Sequence, residues 1–131
     1  MTFKLVLNEA ATYSERAITF PELEKISENY KFSGVSGIYL IIKNKKVVYI
    51  GESNNLRKRL KQHLNVSTDT GKSALRRKIV KLLSLKPEET REWLEKCSIS
   101  HTIIEDKQMR KLVERLLIAY YKDKGEARLN D

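Results

Sequence analysis

Residues 37–63 read GIYLIIKNKKVVYIGESNNLRKRLKQH, and the rest of the chain is best understood from this stretch outward. Two apolar runs, residues 38–42 and 47–50, flank the polar residues 43–46, which is the pattern of a β-hairpin. Ser53, Asn54 and Asn55 are helix-capping types, and Leu56, Leu60 and Leu64 then recur at helical spacing. The expected order is strand, turn, strand, helix.

Periodicity places the polar groups. A loop of three or five residues centred on Asn44 sets Tyr39 opposite Tyr49, with both hydroxyls on one face; a two-residue loop would put them on opposite faces. Asn44 tolerates the left-handed backbone that such loops use. Arg59 and His63 are four residues apart, so they share one helix face beside the leucine stripe. In the first register, two phenols, a guanidinium and an imidazole converge on one patch.

Gly37-Ile38-Tyr39 and Tyr49-Ile50-Gly51, followed by Arg59 and His63, resemble the GIY-YIG nuclease domain. Farther on, Glu114 on a predicted helix and Asn130 near the C-terminus resemble that family's glutamate and asparagine. The resemblance covers residues 37–130 of what reads as one 131-residue domain and leaves residues 1–36 as an N-terminal extension. It implies an α/β fold: a small, mainly antiparallel sheet of about three strands flanked by helices. It also implies a metal-dependent endonuclease that hydrolyses phosphodiester bonds in DNA, double-stranded DNA being the expected partner.

The resemblance supplies the positions, and side-chain chemistry supplies the roles. Glu114 would hold one Mg2+ or Mn2+ with water completing the shell. Arg59 would present its planar fork to phosphate oxygens. Tyr39 would act as general base toward water, its phenol lowered by nearby positive charge, with Tyr49 positioning it. His63 would relay a proton or touch phosphate, and Asn130 would hold Glu114 or a backbone segment in place. Glu52, directly after Gly51, either repels DNA or joins the metal site.

Charge is uneven along the chain. The formal net charge is +9, and residues 55–81 hold nine basic residues (Arg57, Lys58, Arg59, Lys61, Lys72, Arg76, Arg77, Lys78, Lys81) against one acid, Asp69. The flanking segments are nearly balanced, so the excess sits directly after the candidate site, where phosphates would need neutralising. Arg57, Lys58, Lys61, Lys72, Arg76, Arg77 and Lys78 are therefore the expected nucleic-acid contacts. A solvated helix pair is the plain alternative. The competing function is a binding module without catalysis, or a subunit that cuts only with a partner protein or a second copy of the chain.

Other segments bound the class. The longest apolar run is residues 116–121, too short for a membrane span, and Lys4 and Asn8-Glu9 interrupt any signal-like segment. The lone Cys97 excludes an internal disulfide framework and reads as an inert thiol, so a cytoplasmic protein is expected. Gly71-Lys72-Ser73 lacks the upstream glycine of a phosphate-binding loop. Alternating Phe3, Leu5 and Leu7 predict a first strand, and Pro21 a short helix carrying Leu23 and Ile26. Leu75, Ile79, Leu82 and Leu83 form the apolar stripe of a second helix, and Pro87 starts a third. Residues 98–105, including a structural His101, read as a strand. The last helix, residues 106–122, is expected to bury Met109, Leu112, Val113, Leu116 and Tyr120.

Overall fold

The computed structural model describes residues 1–9, 12–27, 30 and 34–131. In chain order the elements are β1 (Thr2–Glu9), β2 (Thr12–Thr19), β3 (Glu24–Lys25), β4 (Gly37–Lys43) and β5 (Lys46–Ser53), followed by α1 (Leu56–His63) and α2 (Ala74–Leu83). A 3-10 turn at Pro87–Glu89 runs into α3 (Thr90–Glu95), and β6 (Ser98–Ile103) and α4 (Lys107–Asp123) complete the chain. One sheet has the order β3-β6-β4-β5 with every pair antiparallel, and β1 and β2 form a separate hairpin. The three-strand expectation is met by β6, β4 and β5, to which β3 adds a two-residue edge.

β4 is buried from Gly37 to Ile42 and carries no charge before Lys43, because both of its faces are covered. Ile38, Leu40 and Ile42 pack with Val113, Leu117 and Tyr121 of α4 and with Leu5, Ile18 and Phe20 of the N-terminal hairpin. Tyr39 and Ile41 face the other layer, made by Leu56 and Leu60 of α1, Leu75 and Ile79 of α2 and Leu94 of α3.

The hairpin between β4 and β5 departs from the expected register. Its turn has two residues, Asn44 and Lys45, both left-handed (φ 52° and 64°), as a type I′ turn requires. Alone, that turn would place the tyrosines on opposite faces. The register shifts, however, between Ile41↔Tyr49 and Ile42↔Val47, leaving Val48 as an extra residue. This bulge returns Tyr49 to the Tyr39 face, and Tyr39 lies opposite Gly51 rather than opposite Tyr49.

Further expectations are corrected. The segment after Pro21 is not helical: β3 pairs with β6, and the Ile26 N–H donates to the Cys97 carbonyl (3.2 Å), because the open edge of β6 offers backbone partners. The buried stripe of α4 is Arg110, Val113, Leu117 and Tyr121, whereas Leu116 and Tyr120 are exposed. In α2, Leu82 and Leu83 are likewise exposed while Arg76 is buried. Both helices turn an arginine inward, which a pattern scored on apolar residues alone cannot register.

Candidate active site

Four elements bring the site together. The β4–β5 bulge sets the Tyr39 and Tyr49 rings on one face with centroids 6.1 Å apart. Gly51, opposite Tyr39, leaves the space that the Tyr39 ring fills; a Cβ there would collide with the ring and its hydroxyl. The carboxamide of Asn55 caps α1 by accepting from the Lys58 N–H (3.0 Å), which fixes the helix that carries Arg59 and His63.

His63 is buried beneath the tyrosines. Its Nε2 lies 2.6 Å from the Tyr39 hydroxyl and its Nδ1 2.7 Å from Ser73 Oγ, the capping oxygen of α2. Burial, reinforced by Arg59 and Arg76, lowers the imidazole to about 3, so it is neutral. A phosphate contact by His63 is thus excluded by its burial. Tyr39 also departs from the expectation: burial, with Tyr49 adding to it, pushes its phenol well above the ordinary range, and Arg59 only partly opposes this. Burial and the Glu114 charge raise Tyr49 in the same direction.

Glu114 reaches the site from α4, which packs on β5. Its carboxyl is raised by burial and by Glu52, while Lys111, the Glu52 N–H and Arg59 pull the other way. Glu52 itself is held by Arg110 Nε (2.6 Å) and Lys111 Nζ (3.0 Å). Although burial opposes its ionisation, these bonds hold it below the usual carboxylate range. Both alternatives for Glu52 therefore give way to an ion pair that pins β5 to α4. Glu114 remains as a half-buried acid within electrostatic reach of Arg59 and both phenols. One such carboxylate, with water for the other positions, fits a hard divalent cation. Among the described residues no group of three His, Cys, Asp or Glu side chains could hold a metal.

Asn130 acts on backbone. Its Oδ1 accepts from the Ile50 N–H (2.9 Å) and its Nδ2 donates to the Ile50 carbonyl (2.8 Å), closing the outer edge of β5 inside the Tyr49-Ile50-Gly51 run. The Ala127 and Leu129 N–H groups donate to the Val47 and Val48 carbonyls and continue the same edge.

The basic segment divides. Arg57, Lys58, Lys61, Lys72 and Arg77 are exposed, the last holding the Thr70 and Gly71 carbonyls (3.2 and 2.7 Å). Lys78 pairs with Asp131. Arg76 is not available to phosphate: its guanidinium is buried and donates to Thr90 Oγ1 (2.8 Å) and to the carbonyls of Asp69 (3.0 Å), Ser67 (2.6 Å) and Pro87 (2.7 Å). It staples the loop before α2 to the turn before α3. Cys97 is buried, and its thiol is pushed up to about 11 by burial. His101, bonded through Nδ1 to the Tyr30 hydroxyl (2.9 Å), lies on β6 away from this cluster. Sequence patterning missed Ser73, whose only advance signal is its position as a helix cap.

A family model for the GIY-YIG catalytic domain matches residues 14–130. The chain belongs to the GIY-YIG catalytic-domain family. It is by that membership a nuclease of the GIY-YIG type, and the match begins in β2, upstream of the boundary expected at residue 37. Among solved structures it is similar to the magnesium-bound GIY-YIG N-terminal endonuclease domain of UvrC from Thermotoga maritima, at 18% identity and TM-score 0.48 over 75% of this chain and 85% of that one. A tyrosine-to-phenylalanine mutant of that domain, bound to its catalytic divalent cation, matches at 18% identity and TM-score 0.48, over 75% of this chain and 84% of that one. No curated protein matches the chain. Among the described residues, no helix is long and apolar enough to cross a membrane.

Proposed function

We propose that this GIY-YIG nuclease is a metal-dependent endonuclease of the cytoplasm that hydrolyses phosphodiester bonds in double-stranded DNA. The observation that carries the reading is the cluster itself: Tyr39 bonded to a neutral buried His63, with Tyr49, Arg59 and Glu114 electrostatically coupled around it. Residues 1–131 act as one unit, with 37–130 as the nuclease core and the N-terminal hairpin as a brace on α4.

Arg59 donates its fork to the phosphate as negative charge builds there. Tyr39 takes the proton of the attacking water when it is a phenolate. Because burial holds its phenol above the ordinary value, the phenolate is the minor form at neutral pH, and the rate climbs with pH. Tyr49 orients the water, and Asn130 holds the β5 edge on which Tyr49 sits. Glu114 would hold Mg2+ or Mn2+, which would supply charge neutralisation at the phosphate and the leaving oxygen. Arg57, Lys58, Lys61, Lys72 and Arg77 neutralise flanking phosphates, and Lys78 joins them when its pair with Asp131 opens.

The test is incubation of the purified protein with supercoiled plasmid, with and without Mg2+ or Mn2+. Nicked or linear DNA only in the presence of metal is the expected result. Salt-sensitive DNA binding without any product would favour a non-catalytic or partner-dependent module.

A further inference from the structure

Ser73 belongs to none of the motifs above, yet its hydroxyl ends the buried polar chain that starts at Tyr39 and passes through His63. Ser73 and His63 are each only 1% exposed, so their hydrogen bonds must be satisfied within the protein. Among the described residues Ser73 Oγ has two polar neighbours: the Arg76 N–H, which donates to it (3.1 Å), and His63 Nδ1 (2.7 Å). The hydroxyl carries one hydrogen. If Nδ1 were protonated, both neighbours would be donors and the Ser73 hydrogen would be buried without an acceptor. That arrangement is disfavoured by roughly tenfold or more. The Ser73 hydrogen therefore goes to Nδ1, and the proton of the neutral imidazole sits on Nε2, aimed at the Tyr39 oxygen 2.6 Å away.

We infer that Ser73 is a positioning residue that fixes His63 as its Nε2–H tautomer, making His63 a standing hydrogen-bond donor to the Tyr39 oxygen rather than a proton relay. The chain runs one way, from the Arg76 N–H to Ser73, from Ser73 to His63 and from His63 to Tyr39. A donor so placed favours the phenolate of Tyr39, and in the neutral phenol it leaves the hydrogen free to turn toward Tyr49, whose ring centroid lies 6.1 Å away. The inference deepens the proposed function and rests on it for its catalytic consequence. It also gives the Arg76 staple a purpose, since Arg76 holds in place the helix start from which Ser73 reaches His63.

Ser73→Asp keeps a good helix cap but offers only acceptor oxygens to Nδ1, which must then donate. Ser73→Thr keeps the hydroxyl. The tautomer is read by two-bond 1H–15N correlation on 15N-histidine-labelled protein at mildly alkaline pH. The chain has two histidines, and a His101→Gln sample assigns them. The parent and Ser73→Thr are expected to carry the proton on Nε2, and Ser73→Asp on Nδ1. Plasmid cleavage with Mg2+ should stay near the parental rate in Ser73→Thr and fall roughly 10- to 100-fold in Ser73→Asp, the loss expected for one hydrogen bond to a charged oxygen. A parent protonated on Nδ1 would overturn the inference even if Ser73→Asp failed to fold. A moved proton with unchanged cleavage would overturn its catalytic half. A parent that never cleaves DNA would count against the nuclease reading alone, because the spectrum is read without substrate.

Discussion

Acidification should destabilise this protein through His63. The folded imidazole titrates at about 3 because it is buried and faces Arg59 and Arg76, whereas the unfolded one titrates near 6.5. Below pH 6.5 the unfolded chain therefore binds a proton that the folded one refuses, and stability falls as pH falls toward 3. Because the folded value lies well below pH 5, the loss between pH 7.5 and pH 5 is set by the unfolded value, at about 1.36 kcal/mol per pH unit below 6.5, or ~2 kcal/mol. The assay is urea denaturation of the parent and of His63→Gln at both pH values. Other groups titrate in both proteins, so the difference between their pH dependences isolates His63. The parent should lose ~2 kcal/mol more than the variant. Parallel losses would refute the claim that His63 is held neutral in the fold.

Glu114→Gln should abolish metal-dependent cleavage while leaving metal-free DNA affinity unchanged or slightly improved, since a charge facing phosphate is removed; cleavage assays and fluorescence anisotropy check the two halves. Lys72→Ala with Arg77→Ala should weaken binding to all sequences alike and lower the salt slope by roughly two, measured by titration across salt concentrations. Arg76→Ala should instead lower stability by about 2–4 kcal/mol in urea melts, because it empties a buried site and removes four hydrogen bonds, one to the buried Thr90 Oγ1 and three to carbonyls of the flanking loops. Gly51→Ala should cost about 1–3 kcal/mol by forcing a methyl into the Tyr39 ring, and a slowed cleavage rate should report the displaced phenol.

Much of the site was legible because its signals are local. Alternation and helical spacing depend on a few neighbouring residues, so the hairpin, the helix after it and the shared face of Arg59 and His63 follow from residues 37–63 alone. The resemblance then singled out Glu114 and Asn130, which no local pattern distinguishes from surface residues. Tertiary structure decided the rest. The bulge at Val48, not the turn length, puts both tyrosines on one face. Arg76 and Arg110 look like surface charges in sequence but are buried, because the chain folds the carbonyls of neighbouring loops around both and brings Glu52 from β5 to Arg110. Asn130 finds Ile50 across 80 residues through main-chain atoms that every residue carries, and so leaves no trace in side-chain pattern. Ser73 joins His63 for the same reason: hydrogen bonds between segments are fixed by where the folded backbone puts them, and sequence reports only which groups are available to make them.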